Sequence, residues 1–287
     1  MYRILIVGAG YAGSAVAQYF CHQKQRVWTL VQTPEKQAAL KAMGAMPVLA
    51  DLTKPETLEG IPPAHFVLLS AAPRERTTAA YEALYLKGIE NCLQRIRNQI
   101  HPLLILYLSS TSVYGDQQGV WVDENSALKP DSDQARILIE AERQVLGCGM
   151  PSAILRLGGI YGPGRNRLAA VQNSDWKPPA EDAYMNMIHV EDIVQAVALL
   201  FKKAEAGNVY LGCDGQPPKR SEFYAWLCEQ LGKSWKPSLG RQAGLRGKRC
   251  RNDRLCALGQ SFHYPSFREG YSALMAVTES KQAGKEI

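Results

Sequence analysis

Arg3-Ile4-Leu5-Ile6-Val7-Gly8-Ala9-Gly10-Tyr11-Ala12-Gly13 decides how the rest of this chain is read. Ile4 to Val7 are apolar without interruption and mostly β-branched, the composition of a strand buried on both faces. Three glycines follow at once at G-x-G-x-x-G spacing, Gly8, Gly10 and Gly13. The first permits a sharp turn, the second lets a pyrophosphate approach the backbone, and the third lets a helix pack on the strand. Ser14-Ala15-Val16-Ala17-Gln18-Tyr19-Phe20 continues with small and apolar residues at helical spacing, so free N–H groups at the helix start face the phosphate. Alone, the glycine spacing describes only a tight turn. Between a strand and a helix it reads as a dinucleotide-binding loop built from Gly8, Gly10, Tyr11, Ala12 and Gly13.

Composition sets the outer bounds. A chain of 287 residues holds one large domain, or a large domain with a small appendage. Its 46% apolar content supports a substantial core, while no run approaches the ~20 apolar residues of a membrane span. A strand that starts at Arg3 leaves no room for a secretory signal. The seven cysteines, Cys21, Cys92, Cys148, Cys213, Cys228, Cys250 and Cys256, are odd in number, scattered and free of any C-x-x-C pair. That pattern points to free thiols in a reducing cytoplasm and to no disulfide scaffold or zinc site. The net charge of +6 is mild and concentrates partly between Arg241 and Arg254, with Arg246, Lys248, Arg249 and Arg251. This segment reads either as an anion site for a phosphorylated or carboxylated substrate or as a solvated surface. Without aromatic interleaving it does not read as a nucleic-acid face.

Strands and helices alternate along the chain. Val27-Trp28-Thr29-Leu30-Val31 is the second strand, and an NAD-preferring site would carry Asp or Glu near its end to bind the ribose 2′-hydroxyl. Val31, Gln32 and Thr33 stand there instead. The missing carboxylate removes the usual repulsion of a 2′-phosphate, yet no neighbouring arginine waits to bind one. Lys36 is either such a ligand or an exposed helix residue, and NAD versus NADP stays open. A helix runs from Pro34 to Gly44, and Val48-Leu49-Ala50 is a third strand ending at Asp51-Leu52. Phe66 to Ala72 is a fourth strand, whose last residues Ala71 and Ala72 are small enough for a cofactor to pass. Tyr81 to Ile96 has helical periodicity, Leu103 to Leu108 is a fifth strand, Leu128 to Leu146 a helix with the capping run Asp131-Ser132-Asp133, and Ser152 to Leu157 a sixth strand. Residues 168 to 183 read as a loop, Asp192 to Lys203 and Glu222 to Leu231 as helices. This order means an α/β fold, a Rossmann-type doubly wound parallel sheet with a small interleaved C-terminal substrate lobe. The dinucleotide-binding domain covers 1–165 and the lobe mainly 166–287, with 186–203 returning to the sheet. Sites in such sheets lie at the carboxyl ends of the strands, so Ser109-Ser110-Thr111-Ser112 either faces the reacting centre or caps the fifth strand.

Several longer motifs now stand in order: Leu108-Ser109-Ser110-Thr111-Ser112-Val113-Tyr114-Gly115-Asp116, then Leu155-Arg156-Leu157 through Tyr161-Gly162-Pro163-Gly164-Arg165, then Ile188-His189-Val190-Glu191-Asp192-Ile193. With Asn252 to Gly259 and Tyr264-Pro265, they make the chain resemble the extended short-chain dehydrogenase/reductases, the NAD-dependent epimerase/dehydratase group, over nearly its whole length. The resemblance implies an NAD or NADP cofactor, with Asp51-Leu52 as the adenine-contacting pair and Ser110 as the hydroxyl that holds the substrate oxygen. It also implies a homodimer through the helices Tyr81–Ile96 and Leu128–Leu146. Val7 occupies the place of the family's first glycine. More consequentially, the family's Tyr-x-x-x-Lys pair is absent, because anchoring on Ile139-Glu140-Ala141-Glu142 puts Gln134 at the tyrosine and Leu138 at the lysine. Glutamine has no titratable proton and leucine no donor. The chain therefore looks most like an atypical branch whose members are provisionally described as nucleoside-diphosphate-sugar epimerases or NAD(P)-binding proteins. Its short segment before Ile188 makes a bulky nucleotide-sugar a weaker expectation.

Two functional classes follow. One is an oxidoreductase or epimerase acting on a small carbonyl or hydroxyl compound with relocated acid/base groups; Ser110, Tyr114, Tyr161 and His189 are its candidates, with Thr111 and Arg165 toward substrate. Each of the two tyrosines also reads as a packed ring, His189 as the residue that orders the next helix, and Arg165 as a surface arginine. The other class is a non-catalytic binding module that senses the dinucleotide. The cofactor contacts, Gly8, Gly10, Tyr11, Ala12, Gly13, Gln32, Asp51, Leu52, Ala71, Ala72 and Ser109, are common to both.

Overall fold

Ile4 and Ile6 face one side of the first strand and Leu5 and Val7 the other, and all four are buried. A strand with two apolar faces needs cover on both, and helices supply it. The computed structural model describes residues 1–99, 101–173, 176, 181–234 and 246–283. Within these, β1 (Arg3–Val7), α1 (Tyr11–His22), β2 (Arg26–Val31), α2 (Glu35–Ala42), β3 (Met46–Leu49) and β4 (Phe66–Leu69) open the fold. A long helix follows in three parts: α3 (Thr78–Tyr81), a π-helical stretch Glu82–Gly88, and α4 (Ile89–Arg97). Then come β5 (Leu104–Ser110), β6 (Trp121–Val122), α5 (Asp133–Leu146), β7 (Ser152–Leu157), β8 (Gly159–Tyr161) and α6 (Leu168–Gln172). The chain continues with β9 (Met187–His189), α7 (Val190–Lys203), β10 (Val209–Gly212), α8 (Arg220–Gln230), β11 (Arg249–Cys250), α9 (Asp253–Ala257) and α10 (Phe267–Ala283).

The central sheet has seven strands in the order β10-β7-β5-β4-β1-β2-β3, and every pairing in it is parallel. On one face Leu5, Val7, Val67, Ile105 and Tyr107 pack under Leu84, Cys92, Leu138 and Ala141 of the long helix and α5. On the other, Ile4, Ile6, Leu106 and Leu155 pack under Val16 and Phe20 of α1 and Ile193, Val197 and Leu200 of α7. Burying each such side chain stabilises the fold by about 1.5–3 kcal/mol. A third cluster, with Tyr161, Leu168, Met187, Phe223, Phe267 and Tyr271, forms the core of the C-terminal part. The α/β reading of the sequence stands, with strand order reversing between β1 and β4.

Where boundaries differ, the cause is local. The third strand starts two residues before Val48, at Met46, because Pro47 is tolerated on an outermost strand. The helix expected from Tyr81 begins at Thr78, where the Thr77 hydroxyl accepts from the Ala80 amide. Of the run Asp131-Ser132-Asp133 it is Ser132 that caps α5, accepting from the Ala135 amide, so the helix starts at Asp133 and not at Leu128. Part of the expected loop 168–183 is the helix α6; residues 174, 175 and 177–180 of it lie outside the described residues. Val209–Gly212, beyond the segment 186–203, joins the sheet as its edge. No described helix is long and apolar enough to cross a membrane, and no described group of His, Cys, Asp and Glu could hold a metal ion.

Candidate functional site

The strand reversal opens a crevice at the carboxyl ends of the strands, the place where open α/β sheets take ligands. A cavity of about 520 Å³ lies there, running from Gly8 to Ala12 past Gln32 and Leu52 to Ala71, Ala72, Ser109 and Arg165. The glycines divide the labour. Gly8 has φ +99° and a Cβ on it would stand 2.4 Å from the Ala71 Cα, while one on Gly13 would stand 2.1 Å from the Gly8 oxygen. These two bring α1 and the end of β4 against the turn, and Ser70 ties it down by donating to the Gly8 carbonyl at 2.9 Å. Gly10 is different: a Cβ there would meet no protein atom within 4 Å. It would project into space left for a ligand. No side chain caps α1 and no acidic residue occupies its first turn, so the positive end of the helix dipole is presented to the crevice.

The charge lining the cavity has one sign. Lys36, Arg74 and Arg165 reach it, and no aspartate or glutamate does. Arg165 also lies over the Tyr11 ring at 5.7 Å, and the Tyr11 hydroxyl donates to the Pro163 carbonyl at 3.0 Å, so the Gly162–Arg165 turn is held against the glycine loop. These features fit a dinucleotide: open backbone, uncapped helix start, cations for phosphate. Gly10→Ala should keep the folded state within about 1 kcal/mol and yet weaken dinucleotide binding roughly tenfold or more. Calorimetric titration beside chemical unfolding checks both, and full-strength binding by the variant would show that no phosphate passes Gly10.

Of the other expected cofactor residues, Gly13 supports the turn without lining the cavity, and Asp51 also stands back from it. Asp51 accepts from the Thr53 amide and hydroxyl and weakly from Gln32 Nε2 at 3.4 Å, hydrogen bonds that hold its carboxyl below the usual range against the opposing effect of burial.

The tyrosine candidates for catalysis need correction. Tyr114 is fully buried, its hydroxyl donates to the Asp123 carbonyl at 2.8 Å and accepts from Arg156 Nη1 at 2.7 Å. Tyr161 is buried too, stacked on Tyr271 with ring centroids 5.1 Å apart, its hydroxyl against the Ser266 carbonyl. Tyr114 follows β5 and Tyr161 ends β8, but the apolar clusters take their rings, and neither lines the cavity. Burial raises both phenols far above the ordinary value. His189 caps α7, its Nδ1 accepting from the Glu191 amide at 3.3 Å, and burial lowers its pKa to about 4, so the ring is neutral. Ser110 ends β5 with its Oγ accepting from the Ser112 amide, and Thr111 beside it is buried; neither lines the cavity. Gln134 donates to the Arg76 carbonyl at 3.2 Å and Leu138 is buried, so no acid/base group stands at those positions. Of the basic segment, 241–245 lie outside the described residues; Arg246 pairs with Asp116 and Glu181, and Arg249 lies over Trp121 and Tyr184.

Under the crevice runs a buried polar chain. Ser109, which lines the cavity, donates to Glu142 Oε1 at 2.5 Å; Arg156 holds both carboxylate oxygens through Nε and Nη2 and reaches Tyr114 with Nη1.

Among the lining residues that sequence reasoning did not place in the site, Arg74 and Tyr85 bear most on its chemistry. Arg74 follows Ala71-Ala72-Pro73, far in sequence from the end of the second strand. Tyr85 sits on the π-helical stretch, its ring edge-on to Tyr81 at 5.3 Å and to Tyr107 at 6.4 Å.

Comparison with known proteins adds the following. A sequence model of the NAD dependent epimerase/dehydratase family matches residues 4–211. Protein YeeZ of Escherichia coli strain K12 is 27% identical over 277 residues, 92% of this chain and 97% of YeeZ. The 4-hydroxy-2-methyl-3-oxo-4-farnesyl-3,4-dihydroquinoline-1-oxide ketoreductase of Stigmatella aurantiaca is 25% identical over 240 residues, 78% of this chain and 72% of that protein. Among solved structures, a Methylobacillus flagellatus protein provisionally described as an NAD-dependent epimerase/dehydratase has a TM-score of 0.80 at 28% identity, covering 97% of this chain and 99% of its own.

Proposed function

Because this chain belongs to the NAD dependent epimerase/dehydratase family, we propose that it binds a nicotinamide dinucleotide in the crevice and reduces a small carbonyl compound. The observation that carries this reading is the space beside Gly10 at the uncapped start of α1, in a cavity lined by three cations and no carboxylate. The ketoreductase relative supports the direction of the chemistry.

When bound, the nicotinamide supplies hydride to the carbonyl carbon. The chain's own part is to hold the carbonyl oxygen and give it a proton. Ser109 lines the cavity with its proton committed to Glu142, whereas Ser110, to which the resemblance gives the oxygen-holding role, does not line the cavity. Tyr85 is the proton donor in this reading. Its phenol faces the cavity, and burial, then the neighbouring Tyr81, raises its pKa well above the ordinary value. The raised pKa keeps a proton on the phenol for a forming alkoxide while making it the weaker acid, and it suits removal of a hydroxyl proton poorly. The phenolate left behind regains its proton from water. Arg165, which lines the same cavity, would meet the diphosphate.

A second reading is favoured by Gln134 and Leu138, which replace the family's acid/base pair: the chain binds the dinucleotide as a signal and transfers nothing. The test is one experiment. Full-length protein is titrated with reduced and oxidised dinucleotides, then offered aldehydes, ketones and quinones while reduced-nicotinamide absorbance is followed. Binding with consumption of the reduced form supports the reductase. Binding without turnover of any carbonyl favours the sensor, and absence of binding removes both.

A further inference from the structure

In sheets of this kind the adenosine ribose lies at the end of the second strand, where a carboxylate accepts its 2′-hydroxyl or a cation meets its 2′-phosphate. Here that end of the cavity is lined by Gln32, Thr33, Lys36, Thr53 and Arg74. Lys36 comes from the first turn of α2, and Arg74 from the segment that leaves β4. The two cations approach from separate elements, and neither enters a salt bridge among the described residues.

Both nearby carboxylates are turned to other partners. Asp51 is taken by Thr53 and Gln32. Glu35 is held by its own amide and by the Thr33 hydroxyl, with Arg74 adding a smaller attraction, so its carboxyl lies below the ordinary range. Neither lines the cavity. Gln32 retains an amide oxygen that a ribose hydroxyl can donate to, but an amide is a neutral acceptor. Lys36 and Arg74, which enter no salt bridge among the described residues, are the stronger partners: a compact ammonium and a planar fork that matches phosphate oxygens in pairs.

We propose that Lys36 and Arg74 form a 2′-phosphate site, so that the dinucleotide is NADP(H) in a family described by NAD. This rests on the dinucleotide reading above, and the experiment separates the two. The full-length protein is titrated calorimetrically at low ionic strength with 2′-phospho-ADP-ribose and with ADP-ribose, neither of which carries the nicotinamide. The phosphorylated ligand should bind about 10- to 100-fold more tightly, as expected for charge-assisted hydrogen bonds. The preference should shrink with added salt, since both cations are exposed, and should vanish in the Lys36→Ala/Arg74→Ala variant. Both side chains stand clear of the core clusters, so the variant should fold. Equal binding of the two ligands, tighter binding of ADP-ribose, or a preference that survives the double substitution overturns the phosphate site while the dinucleotide reading stands. Binding of neither ligand overturns both.

Discussion

Glu142→Ala is expected to destabilise the fold by about 3–5 kcal/mol, the cost of leaving a buried charge without its partner. Arg156 and Glu142 are about 95% shielded from solvent, and the guanidinium grips the carboxylate by Nε at 3.0 and 3.2 Å and by Nη2 at 2.7 Å. Removing the carboxylate strands the guanidinium between β7 and α5 with only the Tyr114 hydroxyl, and strands the Ser109 hydroxyl as well. An exposed pair such as Arg143–Glu140 makes the contrast, because screened surface pairs contribute about 0–1 kcal/mol. Urea unfolding followed by tryptophan fluorescence measures the difference. A double variant, Glu142→Leu with Arg156→Met, should lose less than Glu142→Ala alone, since it leaves no charge behind. If Glu142→Ala costs under about 1 kcal/mol, the guanidinium finds water or another anion in the variant.

Tyr85→Phe is expected to lower kcat for carbonyl reduction by about 10²–10⁴-fold, the range for loss of a positioned proton donor. The ring contacts with Tyr81 and Tyr107 survive the substitution, so stability should stay nearly constant and KM should change little. The pH profile is a second readout. With its pKa raised by burial, Tyr85 stays protonated across neutral and mildly alkaline pH, so reduction by the native protein should be flat there. A break near neutrality, or a Phe variant with native kcat, would assign proton donation elsewhere.

The parts of the molecule that were legible in sequence are those fixed by neighbours along the chain. The strand Arg3–Val7 and the turn at Gly8 each rest on residues within a few positions, and each forms as read, while the capping run Asp131-Ser132-Asp133 holds its cap at Ser132 and starts the helix five residues later than expected. What escaped was set by packing between distant elements. Tyr114 follows β5 and Tyr161 ends β8, yet the direction of a ring there depends on clusters assembled from residues more than a hundred positions away, such as Tyr271 against Tyr161. Arg74 and Tyr85 escaped for the converse reason. One lies on an irregular segment after β4 and the other on a π-helical turn, and neither carries a periodic signal that aims it at the cavity.

Pro47 carries a consequence for how copies of this chain behave in company. Ala50 donates inward to the Val31 carbonyl at 2.9 Å, and alternation along β3 then turns the nitrogen of Pro47 outward. The sheet's outermost rim, flanked by the exposed Met46 and Leu49, thus lacks a donor at its midpoint. A sticky ribbon that would otherwise template a foreign strand is blunted there, so crowding at synthesis meets a rim that resists growth into filaments.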